Sequence, residues 1–286
     1  MPVCSVLCDS CGYETNDYDA TWCDSCCEWR CDDCGSCPCN DGDCRIHDYD
    51  YRPRHFDAKG DHSAVLFGVE LEVGGYEYRI ADAVSVVDPN SEHLYVKRDG
   101  SISGLEIVTH PMTLEWARGF PFARLLAWLR DADCYVNDNY GLHIHVSRKA
   151  FQTCGKASAC HQLVWLLFLY RNADMLVKLA RRESEEWAAF CKPERGELVR
   201  KASRVDRSSN RYVAVNCNNV HTYELRFFKS TLTDAEFWAA LEFADASVAY
   251  TRQLKAHDVL RGNALSWASF REWVAGQDYA SLTAQI

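Results

Sequence analysis

The chain reads as an α+β protein: an antiparallel sheet flanked by helices, preceded by a small cysteine-rich, zinc-binding module. Three observations predict this. Eleven of the 16 cysteines fall within residues 1–44. Four later segments alternate apolar with polar side chains at the period of a half-buried strand. Between and after them run stretches with the apolar spacing of helices. At 286 residues, 48% hydrophobic and 25% charged, the chain can build one large core and a small appendage. The boundaries read 1–47 for the module, 48–63 for a linker and 64–286 for the main domain.

The module contains Cys8-x-x-Cys11, Cys23-x-x-Cys26 and Cys31-x-x-Cys34, then Cys37, Cys39, Cys44 and His47. Each C-x-x-C offers two thiolates at the spacing a tetrahedral ion needs, so three of them point to structural zinc. A disulfide framework would require an oxidising compartment. The first residues show neither the basic start nor the apolar core of a signal peptide, and a cytoplasmic protein is the expectation. Two zinc ions fit Cys8, Cys11, Cys23, Cys26, Cys31, Cys34, Cys39 and Cys44, and two pairings stay open. A ribbon joins Cys8 and Cys11 to Cys23 and Cys26, leaving Cys31 and Cys34 to Cys39, Cys44 or His47. A cross-brace joins the first knuckle to the third. Either ligand set is closed, so the module is expected to dock or stabilise, with metal supplying its folding energy.

Charge is unevenly placed. Residues 1–62 hold 5 Lys+Arg against 14 Asp+Glu, a net −9 of the chain's −10, and the remaining 26 against 27 nearly cancel. An acidic module repels a phosphate backbone, which argues against nucleic acid. The longest apolar run, Leu163 to Tyr170, is too short to cross a bilayer. Asp48 to His62, polar and containing Pro53 and Gly60, reads as the linker.

In the main domain, Phe67, Val69, Leu71 and Val73 alternate with Glu70 and Glu72 and end at Gly74-Gly75. Ile80 to Val87 reads as a short helix stopped by Pro89. Leu94 to Lys97 leads into the turn Asp99-Gly100-Ser101, where Asp99 reads first as a turn residue and second as a contact of the site. Gly104 to Val108 carries Glu106 among apolar neighbours, where a carboxylate needs a reason. Thr113 to Arg130 has one amphipathic stripe through Trp116, Phe120, Leu125, Trp128 and Leu129. Tyr140 to Ser147 sets Leu142, Ile144 and Val146 opposite His143, His145 and Ser147. Ala157 to Arg182 reads as one long helix. Lys192 to Asn210 is basic and reads as a solvated loop or as a lid over phosphates, with Arg204 and Arg211 as its contacts. Arg211 to Val215 is a strand; Tyr223 to Phe227 places Glu224 and Arg226 opposite Tyr223, Leu225 and Phe227. Helices to about Leu254 and from Ser266 to Gly276 complete the chain. Cys134, Cys154, Cys160, Cys191 and Cys217 show no partner base and read as small buried residues.

If the apolar faces share one core, the opposite face collects Glu70, Glu72, Glu106, His143, His145, Glu224 and Arg226. Four carboxylates crowd together only around cations. Carboxylate oxygens with an imidazole suit Mg²⁺ or Mn²⁺, which predicts a metal–phosphate site.

The motifs GVELE, DGSISGLEIVTHP, YGLHIHVS, RYVAVN and TYELRFFKSTL resemble those of the amidoligases, carboxylate–amine ligases of the glutamine synthetase-like superfamily, over roughly residues 64 to 260. The resemblance implies a glutamine synthetase-like sheet and an ATP-dependent reaction that forms an amide or peptide bond through an acyl phosphate. It implies that Glu70, Glu72, Glu106, His143 and Glu224 hold the Mg²⁺ or Mn²⁺ ions. Arg226, helped by Arg211, would meet phosphate or acyl-phosphate oxygens, and His145 and Ser147 would line the nucleotide. Substrates would be a peptide, amino-acid or cell-wall carboxylate and an amine, with a protein partner brought by the zinc module. Two alternatives stand beside it: a guanidino-kinase-like phosphotransferase, and a non-catalytic protein whose zinc module recruits a partner.

Overall fold

The computed structural model describes residues 5–23, 28–34, 45–53, 55–61, 64–153, 156–157, 159–182, 190, 195–203 and 213–286. Two short hairpins make the N-terminal module. Strand β1 (Ser5–Leu7) pairs with β2 (Glu14–Asn16), and β3 (Ala20–Cys23) with β4 (Glu28–Cys31). Two hydrogen bonds lock the hairpins together: Asp9 N donates to Trp29 O (2.8 Å), and Trp29 N to Asp9 Oδ2 (2.8 Å).

Seven strands form the main sheet: β5 (Ile46–His47), β6 (Phe67–Gly74), β7 (Leu94–Arg98), β8 (Gly104–Thr109), β9 (Gly141–Ser147), β12 (Val215–Asn216) and β13 (Thr222–Lys229). Their order is β12-β13-β9-β6-β8-β7-β5. A separate small hairpin joins β10 (Gln152–Thr153) to β11 (Lys156–Ala157). The main sheet is mixed, and this corrects the expected antiparallel one. Its edge strand β5 runs parallel to β7 and comes from residues assigned to the zinc module. The expected linker is tied to the sheet domain through Lys59 N to Pro111 O (2.8 Å) and Asp57 N to His110 Nδ1 (3.0 Å).

The expected alternation sets the layers. Phe67, Val69, Leu71, Val73, Leu142, Ile144, Val146, Tyr223, Leu225 and Phe227 are all buried in one continuous core. A slip of one residue in any of these strands would carry the intervening charges into that core, so hydrophobic burial holds the register. The long helix α7 (Asp234–Gln253) lies in the same core through Phe237, Leu241, Phe243 and Val248. A register shift between Leu225 and Phe228 breaks the alternation on β13, and Phe227 and Phe228 are both buried there.

The helices differ from expectation at identifiable residues. Helix α1 spans Glu77–Val87, a turn earlier than expected. The single helix expected over Thr113 to Arg130 is two, α2 (Leu114–Gly119) and α3 (Phe122–Asp131). Phe120 takes an extended conformation because Pro121 follows it, and Trp128 ends up 45% exposed rather than buried. The long helix expected from Ala157 splits into α4 (Ala159–Arg171) and α5 (Ala173–Ala180). At the break the Asn172 amide donates to Phe168 O (2.7 Å) and Leu265 O (2.9 Å). The basic segment read as a loop or lid contains a helix, α6 (Arg195–Ser203), with Leu198, Lys201 and Ala202 buried. Its charge pattern hid a buried face, since Lys201 is offset by Glu197 at 3.1 Å. Helices α8 (Ala256–Leu260), α9 (Trp267–Val274) and α10 (Ala280–Thr283) complete the chain. Cys134 and Cys217 are buried as expected, Cys160 is exposed, and Cys154 and Cys191 lie outside the described residues. Among the described residues no helix is long and apolar enough to cross a membrane.

Candidate functional site

The cysteine module brings four thiols together: Cys8, Cys11, Cys31 and Cys34 lie with their sulfurs within 4.8 Å of one another. The Cys8–Cys34 and Cys11–Cys31 sulfur separations are both 3.8 Å. A tetrahedral ion with Zn–S bonds of about 2.3 Å has sulfur–sulfur edges of about 3.8 Å, so the set has the dimensions of a zinc site. The first knuckle therefore pairs with the third, the cross-brace order, and not with the second as in a ribbon. Gly12, at φ +74°, gives the turn after Cys11 a left-handed backbone and donates from N to Cys8 O (2.8 Å). Hydrogen bonding to the Cys31 backbone, against burial, brings the Cys8 thiol down to about 6, while bonds from Cys11 and Cys31 push Cys34 up to about 12. The Cys8 thiol thus ionises more readily than an ordinary cysteine, while Cys31 and Cys34 are held toward the neutral form. His47 is not a ligand of this set; it sits in β5, stacked on Tyr51. Only the backbone of Cys23 is described, and Cys26, Cys39 and Cys44 lie outside the described residues.

The polar face of the main sheet carries the second constellation. Cross-strand partners share a face, so the register sets its rows. Glu70 stands beside His143, Glu72 beside Glu106, and Glu224 beside His145. The His143 ring lies among three carboxylates, with Nδ1 3.4 Å from Glu70 Oε2 and 3.7 Å from Glu224 Oε1, and Nε2 3.7 Å from Glu72 Oε1. His145 Nε2 is 3.1 Å from Glu70 Oε1. Three overlapping ligand sets result: Glu70, His145 and Glu224; Glu70, Glu106 and His143; Glu72, Asp99 and Glu106. Within each set the ligand atoms approach within 4.8 Å of one another.

Cations border the face. Arg226 pairs with Glu224 Oε1, whose other oxygen accepts from Asn216 Nδ2 (2.7 Å). Lys97 Nζ is 2.9 Å from Glu106 Oε2. Arg182 is buried and donates to Arg226 O (3.2 Å) and Asn139 O (3.1 Å). The Nε groups of Arg182 and Arg226 are buried without a hydrogen-bond partner. A buried N–H left unpaired is costly, and an anionic oxygen would satisfy it. Gly141 makes room: a Cβ there would stand 2.5 Å from His143 Nε2 and 2.6 Å from Arg182 Nη1. Its own N–H donates to Glu72 Oε2 at 2.5 Å.

All the expected carboxylates and both histidines converge here, with one change of emphasis. His145, expected to line a nucleotide, belongs to a ligand set with Glu70 and Glu224. Ser147 sits at the end of β9, where its hydroxyl accepts from Lys149 N (3.2 Å) as a turn cap. Arg204 and Arg211 lie outside the described residues. Sequence reasoning ranked the turn role of Asp99 above contact with the site, and it missed Arg182. Asp99 does stabilise its turn, accepting from Ser101 N and Oγ (both 2.6 Å), yet it also faces Glu72 and Glu106. The alternation through Tyr95 and Lys97 could have placed it there. Arg182 had no sequence signal, because it follows a helix end.

Burial and mutual charge set the protonation of this face. Burial, reinforced by the Glu70 charge, pushes the Glu106 carboxyl up to about 8. Burial lowers His145, but Glu70 outweighs it and carries the imidazole up to about 9. Burial likewise opposes ionisation of Glu70, yet His145 and His143 hold its carboxyl well below the usual range. Both shifts favour the protonated forms of Glu106 and His145. Between 4.5 and about 8 the folded state holds a Glu106 proton that the unfolded chain releases, and between 6.5 and about 9 the same holds for His145. The Tm of the metal-free protein is expected to fall as pH rises from 6.5 to 9. Ligands must be deprotonated, so the stabilisation by Mn²⁺ should grow over the same window. Thermal melts with and without Mn²⁺ measure both slopes; a Tm independent of pH would contradict the burial of these groups.

No protein-family model matches the chain, and none of the curated proteins does.

Proposed function

We propose that the chain is an ATP-dependent carboxylate–amine ligase with a glutamine synthetase-like catalytic sheet. The observation that carries this reading is the joining of three overlapping ligand sets, two carboxylate–histidine and one all-carboxylate, to two buried guanidinium N–H groups that lack partners. Carboxylates alone would suit many metal sites. Carboxylates beside buried, unsatisfied arginine donors suit metal-bound phosphate.

Glu70, Glu72, Asp99, Glu106, His143, His145 and Glu224 would hold Mg²⁺ or Mn²⁺. When bound, these ions neutralise phosphate charge and align the reacting oxygens. In the proposed reaction a substrate carboxylate oxygen bonds to the γ-phosphorus of ATP and ADP leaves. The amine nitrogen then bonds to the acyl carbon, phosphate leaves, and the nitrogen loses a proton. Arg226 and Arg182 would direct their free Nε–H groups to oxygens that gain charge in the first step. Glu224 and Asn216 keep the Arg226 side chain in place. The zinc module would serve docking or stabilisation.

Calorimetric binding of a non-hydrolysable ATP analogue with Mg²⁺ tests the reading. Loss of an outer-shell partner costs metal sites about 10–100-fold. Glu70→Gln/Glu72→Gln, which removes two ligands, is expected to weaken binding by more than about 100-fold. A folded, zinc-loaded wild type that binds no analogue would sink the ligase. Phosphorylated product formed without an amine would replace it with a phosphotransferase.

A further inference from the structure

One part of the polar face is not explained by metal ligation. Residues 45–53 lead from the cysteine module along the β7 edge of the sheet, and their rings gather on the carboxylate side. His47 pairs in register with Lys97, Lys97 with Glu106, and Glu106 with Glu72. These four side chains therefore form one row across four adjacent strands. Tyr95 lies in the next row, beside Val108 and Glu70. The His47 ring stacks on Tyr51 at 3.5 Å and 5°. Tyr51 meets Tyr95 edge-on at 5.4 Å. Lys97 Nζ, which pairs with Glu106, also stands 6.0 Å from the centre of the Tyr49 ring. Tyr49 is 55% exposed.

A structural role accounts for only part of this. His47, Tyr51 and Tyr95 close the sheet edge against one another, as aromatic side chains commonly do. Tyr49 buries little and contributes little to such a seal. Its open ring is nevertheless held at the border of the metal face, next to the lysine that pairs with a metal-ligand candidate. Flat rings beside a cationic and metal-binding groove are how proteins hold a base by stacking while the charged groups hold its phosphates. The distances suit one molecule spanning both. At about 4.8 Å per strand, Glu106 and His47 are about 10 Å apart, a gap that a ribose and its first phosphate bridge.

We propose that Tyr49 and Tyr51 form the seat for the nucleobase of the nucleotide whose phosphates lie on the carboxylate face, a placement that rests on the ligase reading above. The β5–β7 edge is then the base end of the site, and the Glu70–Glu224 side is the end where the carboxylate and amine meet. The segment leaving the zinc module would thus supply part of the nucleotide site.

The test compares two probes on the full-length, zinc-loaded chain with Mg²⁺: a non-hydrolysable ATP analogue and inorganic tripolyphosphate, which has no base. Wild type is expected to bind the analogue at least about tenfold more tightly. Tyr49→Ala/Tyr51→Leu, checked for unchanged zinc content and circular dichroism, should lose most of that preference and keep its tripolyphosphate affinity. Tyr49→Trp, at an exposed position, should fold normally, and its added emission should be quenched by the analogue and not by tripolyphosphate. A preference undiminished in the double variant, or a Tyr49→Trp signal blind to the analogue, overturns the base seat and leaves the metal–phosphate reading standing. A wild type that binds neither probe overturns both.

Discussion

Replacement of Cys31 by serine is expected to abolish zinc binding by the Cys8, Cys11, Cys31 and Cys34 set and to unfold the two N-terminal hairpins while the sheet domain stays folded. The module has almost no core of its own. Leu7, Tyr13, Tyr18 and Trp22 are each more than 40% exposed, whereas Cys8 and Cys31 are buried. Two hairpins of three and four residues per strand are marginal without further support. Structural zinc supplies about 10–16 kcal/mol in comparable small modules, far more than the Trp22–Trp29 contact can. Metal analysis should show the lost ion, and limited proteolysis should cut within residues 5–34 in the variant and in chelator-treated wild type. Continued protease resistance after chelation would exclude zinc as the support of this module.

The second large effect is expected at Arg226. Glu224 is only 4% exposed, and its charge is balanced by Arg226 and by the Asn216 amide. Burial raises its carboxyl, but His145 and Arg226 outweigh burial and keep it below the ordinary range. Arg226→Ala leaves that carboxylate without its guanidinium, and breaking a buried pair this way costs about 3–5 kcal/mol. Denaturant unfolding of the metal-free protein measures the loss. Mn²⁺ should restore part of the stability, because a cation at Glu224 replaces the missing charge. It should not restore turnover. In the ligase proposed above Arg226 meets the transferred phosphoryl group; such an arginine contributes about 10³-fold or more, so on that reading metal-dependent ATP consumption should drop by about that factor. Arg226→Lys should recover most of the stability and little of the rate, since an ammonium lacks the planar fork of donors. A variant that is destabilised yet keeps full turnover would make Arg226 a structural partner of Glu224 alone.

Much of the candidate site was legible because strand periodicity is local. The alternations through Glu70 and Glu72, through His143 and His145, and through Glu224 and Arg226 each assign a face without any tertiary information. Glu106 was legible for the same reason, as a carboxylate in a run of apolar residues. The gaps arose where neighbours far along the chain decide. For Asp99 the turn role outranked contact with the site, since its bonds to Ser101 are local. Its position opposite Glu72 comes from the pairing of β7, β8 and β6. The break at Phe120-Pro121 was readable from proline chemistry, but the apolar stripe across it hid the signal. Lys201 misled because a buried face can carry a charge when a partner one turn away offsets it.

The sequence by itself determined a cysteine-rich module ahead of a mixed α and β domain, and which side chains share a polar sheet face. Both follow from spacing along the chain, two residues per strand repeat and three per thiolate knuckle. Only the tertiary structure decided which knuckles meet, which strands are neighbours and which arginines reach the carboxylates. Cys8 and Cys11 join Cys31 and Cys34 because the two hairpins lock through Asp9 and Trp29. Glu70 meets His143, and Glu72 meets Glu106, because burial of one apolar face fixes the register of β6, β8 and β9. Spacing is written into the chain, whereas adjacency depends on packing between residues far apart in it.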